Sequence, residues 1–183
     1  MTKGDPIAIR ALNAAEAERR VGELADVLVD AVAHGASVNF LAGFSQDDAS
    51  AFWRGQLTGI ATGERHLVVA DDGARLVGTV VLTFAPQPNA PHRAEIGKML
   101  VHASMRRRGI GQRLLTAAEE RAREHGRTLL ILHTEADSDG ERLYRRCGWI
   151  EVGTVPAYAL TTDGRPAAAT IFYKILSEPA SAH

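Results

Sequence analysis

Apolar positions change their period along the chain, and each change marks an element. Ile7 to Leu12, interrupted by Arg10, predicts a short first strand, with Asn13 behind it as a candidate helix cap. From Ala14 to Ala33 the apolar residues fall on one helical stripe through Val21, Leu24, Leu28 and Val32. They predict one long helix that stops at His34-Gly35. Ser45 with Asp48 three residues on reads as a capping arrangement for a second helix through Phe52, Trp53, Leu57 and Ile60. His66 to Ala70 and Leu76 to Phe84 read as strands, and Asp72-Gly73 between them is a hairpin turn signal. Pro86 to Pro91 then breaks the pattern before a strand from Arg93 to Val101. A helix from Gly109 to about Glu124 follows, stopped at Gly126. Thr128 to His133 is a nearly continuous apolar strand of the kind buried on both faces. The reading ends with a helix over Glu141 to Cys147 and strands over Trp149 to Thr154 and Thr170 to Leu176. Strands alternate with helices while hairpins are also signalled, so a mixed sheet in an α/β fold is expected.

Composition narrows the partners. The chain has 183 residues, a length for one domain with one core, and a formal net charge of −1 gives no case for nucleic acid. Its arginines are dense locally, at 106 to 108 and near 142 to 146, where a small anionic ligand suits them better. The single cysteine, Cys147, excludes an internal disulfide and the usual zinc patterns. No metal is expected. MTKGDPIAIR lacks the apolar core of a signal peptide, and no run approaches the ~20 apolar residues of a membrane span, so a cytoplasmic protein without membrane contact is expected. Residues 177–183 read as a frayed tail.

The stretch AEIGKMLVHASMRRRGIGQRLL, Ala94 to Leu115, joins an apolar run to a basic turn and then to a helical pattern. Within it Arg106, Gly109 and Gly111 form Arg-x-x-Gly-x-Gly. A turn closing onto a helix start presents backbone N–H groups without intrahelical partners, at the positive end of the dipole, and such a place binds phosphate. The glycines let the backbone approach an anion closely, and Arg106, Arg107 and Arg108 add mobile charge. The alternative is an exposed arginine cluster whose glycines merely shape a turn. The spacing is neither the dinucleotide fingerprint nor a phosphate loop ending in Gly-Lys-Ser/Thr.

With the strand KMLV before this turn and ERLYRRCGW after it, the chain resembles the GNAT superfamily of acyl-CoA-dependent N-acetyltransferases. The resemblance implies an α/β (α+β) acyl-CoA N-acyltransferase fold over residues 1–176. Its mixed, mostly antiparallel sheet of about seven strands would splay between the fourth and fifth, Arg93 to Val101 and Thr128 to His133, with helices on both faces. It implies acetyl-CoA as cofactor, its pyrophosphate held by Arg106, Arg107, Arg108, Gly109, Ile110, Gly111 and Gln112. The pantetheine arm would lie as a pseudo-strand along Met99, Leu100 and Val101. The superfamily pattern Asn-x-x-Ala-x-x-Leu-Tyr falls here on Asp137, Gly140, Leu143 and Tyr144. Asp137 would touch the coenzyme and Tyr144 would sit near its sulfur. Leu-Tyr and Gly148-Trp149 match, whereas Asp137 replaces the usual Asn and Gly140 the usual Ala.

Acetyl transfer to an amine needs a base, a charge stabiliser at the carbonyl oxygen and an acid for the departing thiolate. Tyr144 is the candidate acid. Glu95, read as in phase with Gly97 and Met99, is the first candidate base, and a salt bridge to Arg93 or His92 is its structural alternative. His133 is the second, Glu135 could serve, and water alone stays open. Oxyanion stabilisation falls to the N–H of Val101 or Leu100. The link between the first two helices lies over the substrate in the superfamily, which makes Ser37, Asn39, Phe40 and Phe44 wall candidates, Phe44 and Trp53 being better explained by packing. HGASVNFLA, PNAPHRAEIGKMLV and GWIEVGTVPAYAL look like the subgroup that includes the tabtoxin-resistance acetyltransferase, where an Asp usually stands at His133 and a Gly at Asp137. The implied acceptor is a small amine, amino acid-like or antibiotic- or toxin-like, with His92, Glu95, His133, Tyr158 and Tyr173 as candidate pocket residues. A non-catalytic acyl-CoA sensor and a protein N-acetyltransferase are the competing readings. The last strand is a candidate exchange element for a homodimer.

Overall fold

The computed structural model describes residues 7–36 and 40–176. Ser37, Asn39 and the 177–183 tail therefore lie outside the described residues. Seven strands form one sheet in the order β1-β2-β3-β4-β5-β7-β6: β1 (Ala8–Leu12), β2 (Arg65–Asp71), β3 (Leu76–Phe84), β4 (Arg93–Val101), β5 (Leu129–Glu135), β6 (Ile150–Leu160) and β7 (Pro166–Ile175). Every neighbouring pair is antiparallel except β4 with β5.

Helices α1 (Ala14–Arg19), α2 (Val21–Ala33) and α3 (Gln46–Thr62) cover one face. Leu24, Leu28 and Trp53 pack there with Leu67, Val69 and Leu100, and the Trp53 indole N–H donates to Leu24 O at 2.9 Å. On the other face α4 (Ile110–Glu124) and α5 (Asp139–Arg146) pack Ile110, Leu114, Leu115 and Tyr144 against Val68, Val80, Leu82, Leu130 and Phe172. Both expected caps form: Asn13 makes a capping box with Glu16, and Ser45 makes one with Asp48.

Three sequence expectations need correction. The single helix from Ala14 breaks at Arg20, at φ −111° and ψ 17°. Its guanidinium is drawn to Glu23, at 2.6 Å, and to Asp71 at the end of β2. β5 is not buried on both faces, because Leu130 and Leu132 are buried while Leu129 and Ile131 are half-buried and His133 is exposed. Both strands of the last hairpin extend further toward their turn than expected, β6 reaching Leu160 and β7 beginning at Pro166. β6 is an edge strand exposed along most of its length, and its register shifts between Glu151 and Gly153 and again between Val155 and Ala159. Ile150, Val152, Tyr158 and Leu160 alternate along β6 but are exposed, and Pro156 with the second register shift interrupts the strand pattern between them.

The site is opened by a failure of pairing. β4 meets β5 over Arg93 to Glu95 against Leu129 to Ile131. Beyond that, β5 stays with β7 to the Glu135–Ala169 pair while β4 stays with β3 to the Val101–Gly78 pair, so the two strands diverge.

Candidate active site

A cavity of about 660 Å³ fills the divergence. Its walls are β4 from Glu95 to Val101, the end of β5 from His133 to Glu135, the start of α4, and the α5 residues Gly140, Leu143 and Tyr144.

The start of α4 is built by Gly109, whose φ of 74° is in the left-handed region that glycine enters without steric cost. Gly109 is the N-cap and offers no side-chain oxygen to the first turn. The amides from Arg107 to Gln112 accordingly donate to no described residue, and the first internal bond runs from Arg113 N to Gly109 O at 3.2 Å. Gly111 faces inward. A Cβ there would stand 3.1 Å from Leu143 Cδ2 and 3.3 Å from Met99 Cε, so α4, β4 and α5 close together at this point. Arg106 donates through Nε to Val101 O at 3.2 Å, and the exposed Arg107 pairs with Asp139 at 3.2 Å. Arg108 is exposed and off the cavity wall.

Strand β4 carries a bulge. Its register against β3 shifts between Thr79 and Val81, Lys98 takes φ 46°, and the buried Thr79 hydroxyl donates to Lys98 O at 2.9 Å. The bulge changes the phase of the strand. Ala94 and Ile96, then Met99 and Val101, face α4, while Leu100 packs under α2 and α3. Glu95 and Lys98 lie on the α3 face, so the reading of Glu95 as in phase with Met99 is wrong beyond the bulge. His102 N donates to Val77 O at 2.9 Å, and alternation along the ladder then turns the Leu100 amide toward β3 and the Val101 amide toward the opening.

Glu95 is half-exposed, and its Oε1 lies 3.7 Å from His133 Nδ1. The two candidate bases thus face each other across the gap, and the alternative bridge from Glu95 to Arg93 does not form, since Arg93 donates to Gln87 at 3.0 Å. The His133 ring packs on Tyr158, centroids 5.1 Å apart, and Tyr158 also lines the cavity. Tyr144 is 6% exposed between Trp149 and Phe172. Burial, aided by Cys147, pushes its phenol well above the ordinary range, so it stays protonated. Its hydroxyl makes no hydrogen bond to a described residue. Burial and the nearby Glu119 likewise raise the Cys147 thiol, which argues against a thiolate.

Several sequence candidates sit elsewhere. Asp137 is exposed at φ 61° and off the cavity wall; its amide donates to Glu141 and its carbonyl accepts from Arg142. Ser138 and Asp139 stand on the wall instead, Ser138 also capping α5 through Glu141 N at 3.1 Å. His92 is exposed and off the wall; its carbonyl receives Thr128 N and Leu129 N. Phe40 stacks on Phe44 at 4.0 Å and meets Phe52 edge-on at 5.3 Å, behind the wall, and Tyr173 is on β7 away from it. Arg142, from the arginine-dense stretch near 142 to 146, lines the cavity, as do Lys98 and Thr134, which the sequence pattern does not mark; Lys98 is hidden by the bulge, which no alternation pattern reveals. Among the described residues no group of three or more His, Cys, Asp or Glu could hold a metal ion, and no helix is long and apolar enough to cross a membrane.

The model of the acetyltransferase (GNAT) family matches residues 29–149. Ribosomal-protein-alanine N-acetyltransferase from Brucella melitensis superposes with a TM-score of 0.75 at 25% identity, covering 92% of this chain and 99% of that one. The yncA protein of Salmonella typhimurium, solved with its cofactor acetyl-CoA, gives 0.73 at 18% identity, covering 98% and 99%. A phosphinothricin acetyltransferase from Sinorhizobium meliloti in complex with acetyl-CoA gives 0.74 at 19%, covering 97% and 92%.

Proposed function

The chain belongs to the acetyltransferase (GNAT) family, and from that premise we propose that it transfers the acetyl group of acetyl-CoA to the amine of a small molecule by direct attack, with both substrates in the cleft. The observation that carries this reading is the run of unpartnered amides from Arg107 to Gln112 beside the unpaired edge of β4. One wall thus offers a helix-start anion cradle, which fits a diphosphate, and next to it a strand edge, which fits an amide-bearing arm. Acetyl-CoA supplies the activated acyl group.

The protein's own groups do the rest. Glu95, with His133 beside it, takes the proton of the incoming ammonium so that the amine can attack. The Val101 amide, turned to the opening, is the donor for negative charge on the carbonyl oxygen. Tyr144 gives its proton to the departing sulfur and takes one back from the acylated nitrogen, because burial disfavours a lasting phenolate there. A sensor without catalysis would need the cradle but none of these three groups.

The test is thiol release from acetyl-CoA across a panel of amino acids, simple amines and peptides with free N-termini. Release with small amines above the amine-free rate is expected. Coenzyme binding with no amine-dependent release would refute the reading. Glu95→Gln should slow transfer by roughly 100-fold at neutral pH; an unchanged rate would pass the base to His133 or to water.

A further inference from the structure

One cleft ion has no part in that chemistry. Lys98 lines the cavity, its Nζ 5.7 Å from the Phe40 ring centroid and 5.3 Å from that of Phe52. Among the described residues it has neither a carboxylate nor a carbonyl partner. Lys174, also half-buried, shows the ordinary solution: its ammonium is satisfied by both Glu119 oxygens and Cys147 O, each at 2.8 Å. Burial lowers the Lys98 ammonium below the usual lysine range, and Glu95 opposes that shift without forming an ion pair. The aromatic faces attract the cation but supply no acceptor for its hydrogens.

The bulge is what brings Lys98 here. Strict alternation from Ala94 would place Lys98 in the α4-facing core with Ala94 and Ile96; the register shift turns it to the α3 face, with Glu95 and opposite His133. This half of the cleft therefore holds an acid and a base at separate points of one wall, whereas the α4 half holds Met99, Val101, Leu143 and the amide run. An acceptor whose ammonium goes to Glu95 and whose anionic end goes to Lys98 matches both charges. A monoamine or polyamine would leave Lys98 unpaired and bring more cations against it.

We propose that Lys98 is a specificity-determining residue that pairs with the carboxylate of the acceptor, so that the acceptor is a carboxylate-bearing amine of the amino acid class. This rests on the N-acetyltransferase reading of the cleft. The pairing would be a charge-assisted hydrogen bond in a partly desolvated site, where losing one partner typically costs a factor of about 10 to 100.

The experiment compares amino acids with their own carboxamides as acceptors, which keeps the amine and side chain and removes the anion. With the wild-type protein, kcat/KM should favour the acid over the amide by about tenfold or more. In Lys98→Met, which keeps length and apolar packing against Phe40 and Phe52, that ratio should collapse toward one. In Lys98→Arg, which keeps the charge, a preference for the acid should survive. Equal use of acid and amide by the wild type would overturn the proposal while leaving the N-acetyltransferase reading intact. So would a Lys98→Met variant that slows both acceptors equally. Absence of amine-dependent thiol release with every acid and amide, in protein that still binds acetyl-CoA, would overturn both.

Discussion

Gly109 and Gly111 occupy neighbouring points of the same motif but are glycine for different reasons, and one substitution in each separates them. Gly109 has φ 74° and no atom within 4 Å of a would-be Cβ, so alanine there meets no steric obstacle and suffers only backbone strain, about 1–2 kcal/mol. Relief of that strain rotates the peptide planes that aim the Arg107 to Gln112 amides. A hydrogen bond to a charged group is worth about 1.5–3 kcal/mol, so one misdirected amide should weaken acetyl-CoA binding by roughly 10- to 150-fold. At Gly111 the obstacle is steric: alanine presses on the flexible tips of Leu143, at 3.1 Å, and Met99, at 3.3 Å, and leaves the backbone that aims the amides in its helical conformation. It also gains helix propensity of about 0.5–1 kcal/mol, so its stability should change little. Titration calorimetry with acetyl-CoA and with acetyl-pantetheine, which lacks the diphosphate, reads the difference. Gly109→Ala should lose affinity for the former alone, with a melting temperature lower by roughly 2–8 °C. An unchanged Kd for acetyl-CoA, or an equal loss for both ligands, would refute the cradle.

Three further outcomes follow from the same geometry. Tyr144→Phe should lower kcat by about 100-fold with Kd for acetyl-CoA unchanged, since it removes the donor and keeps the packing on Trp149 and Phe172; equal turnover would make the residue structural. Lys174→Met leaves the buried Glu119 carboxylate, among the described residues, with the Trp149 indole N–H at 3.1 Å alone, which should cost about 3–5 kcal/mol in urea unfolding, much of it recovered by adding Glu119→Leu. His66, pressed by burial and by His125, Arg121 and Arg127, has its pKa lowered from 6.5 to about 4. A histidine with a depressed folded value stabilises above 6.5 and loses that contribution as pH falls toward 4. His66→Phe should therefore flatten the decline in unfolding free energy between those values by about 1–2 kcal/mol after discounting its partial exposure; parallel curves would refute it.

What could be read from the sequence was local. Asn13 as a helix cap, Ser45 with Asp48, and Asp72-Gly73 each determine structure within a few residues, and each forms as read, Asn13 adding a capping box with Glu16. The Arg106 to Gly111 motif is equally local, because a left-handed glycine and an uncapped helix start are properties of the turn itself. Features set by distant partners were not legible. Arg20 breaks its helix where it pairs with Asp71, and the β6–β7 hairpin runs on past Pro156 and a register shift that interrupt its pattern, although Asp163-Gly164 at its tip is an ordinary turn signal. Asp137 aligns with a motif position, yet its positive φ and its bond to Glu141 carry it off the wall, leaving Ser138 and Asp139 there.

The divergence of β4 from β5 explains why the site needs so many special residues so close together. A strand that loses its neighbour after Glu95 exposes backbone groups that must find partners elsewhere, and β4 satisfies one of them locally, the Val101 carbonyl accepting from Arg106 Nε. The Val101 amide is turned to the opening and stays available. Past the last β4–β5 pair, the bulge shifts the phase of the strand and so separates Met99 and Val101, on the α4 side, from Lys98 on the α3 side. A regular strand would have put Glu95 and Met99 on one face and Lys98 on the other, mixing the charged groups with the apolar wall. The segregated walls are thus the consequence of one irregularity in β4, whose Lys98 carbonyl is held by the hydroxyl of the buried Thr79.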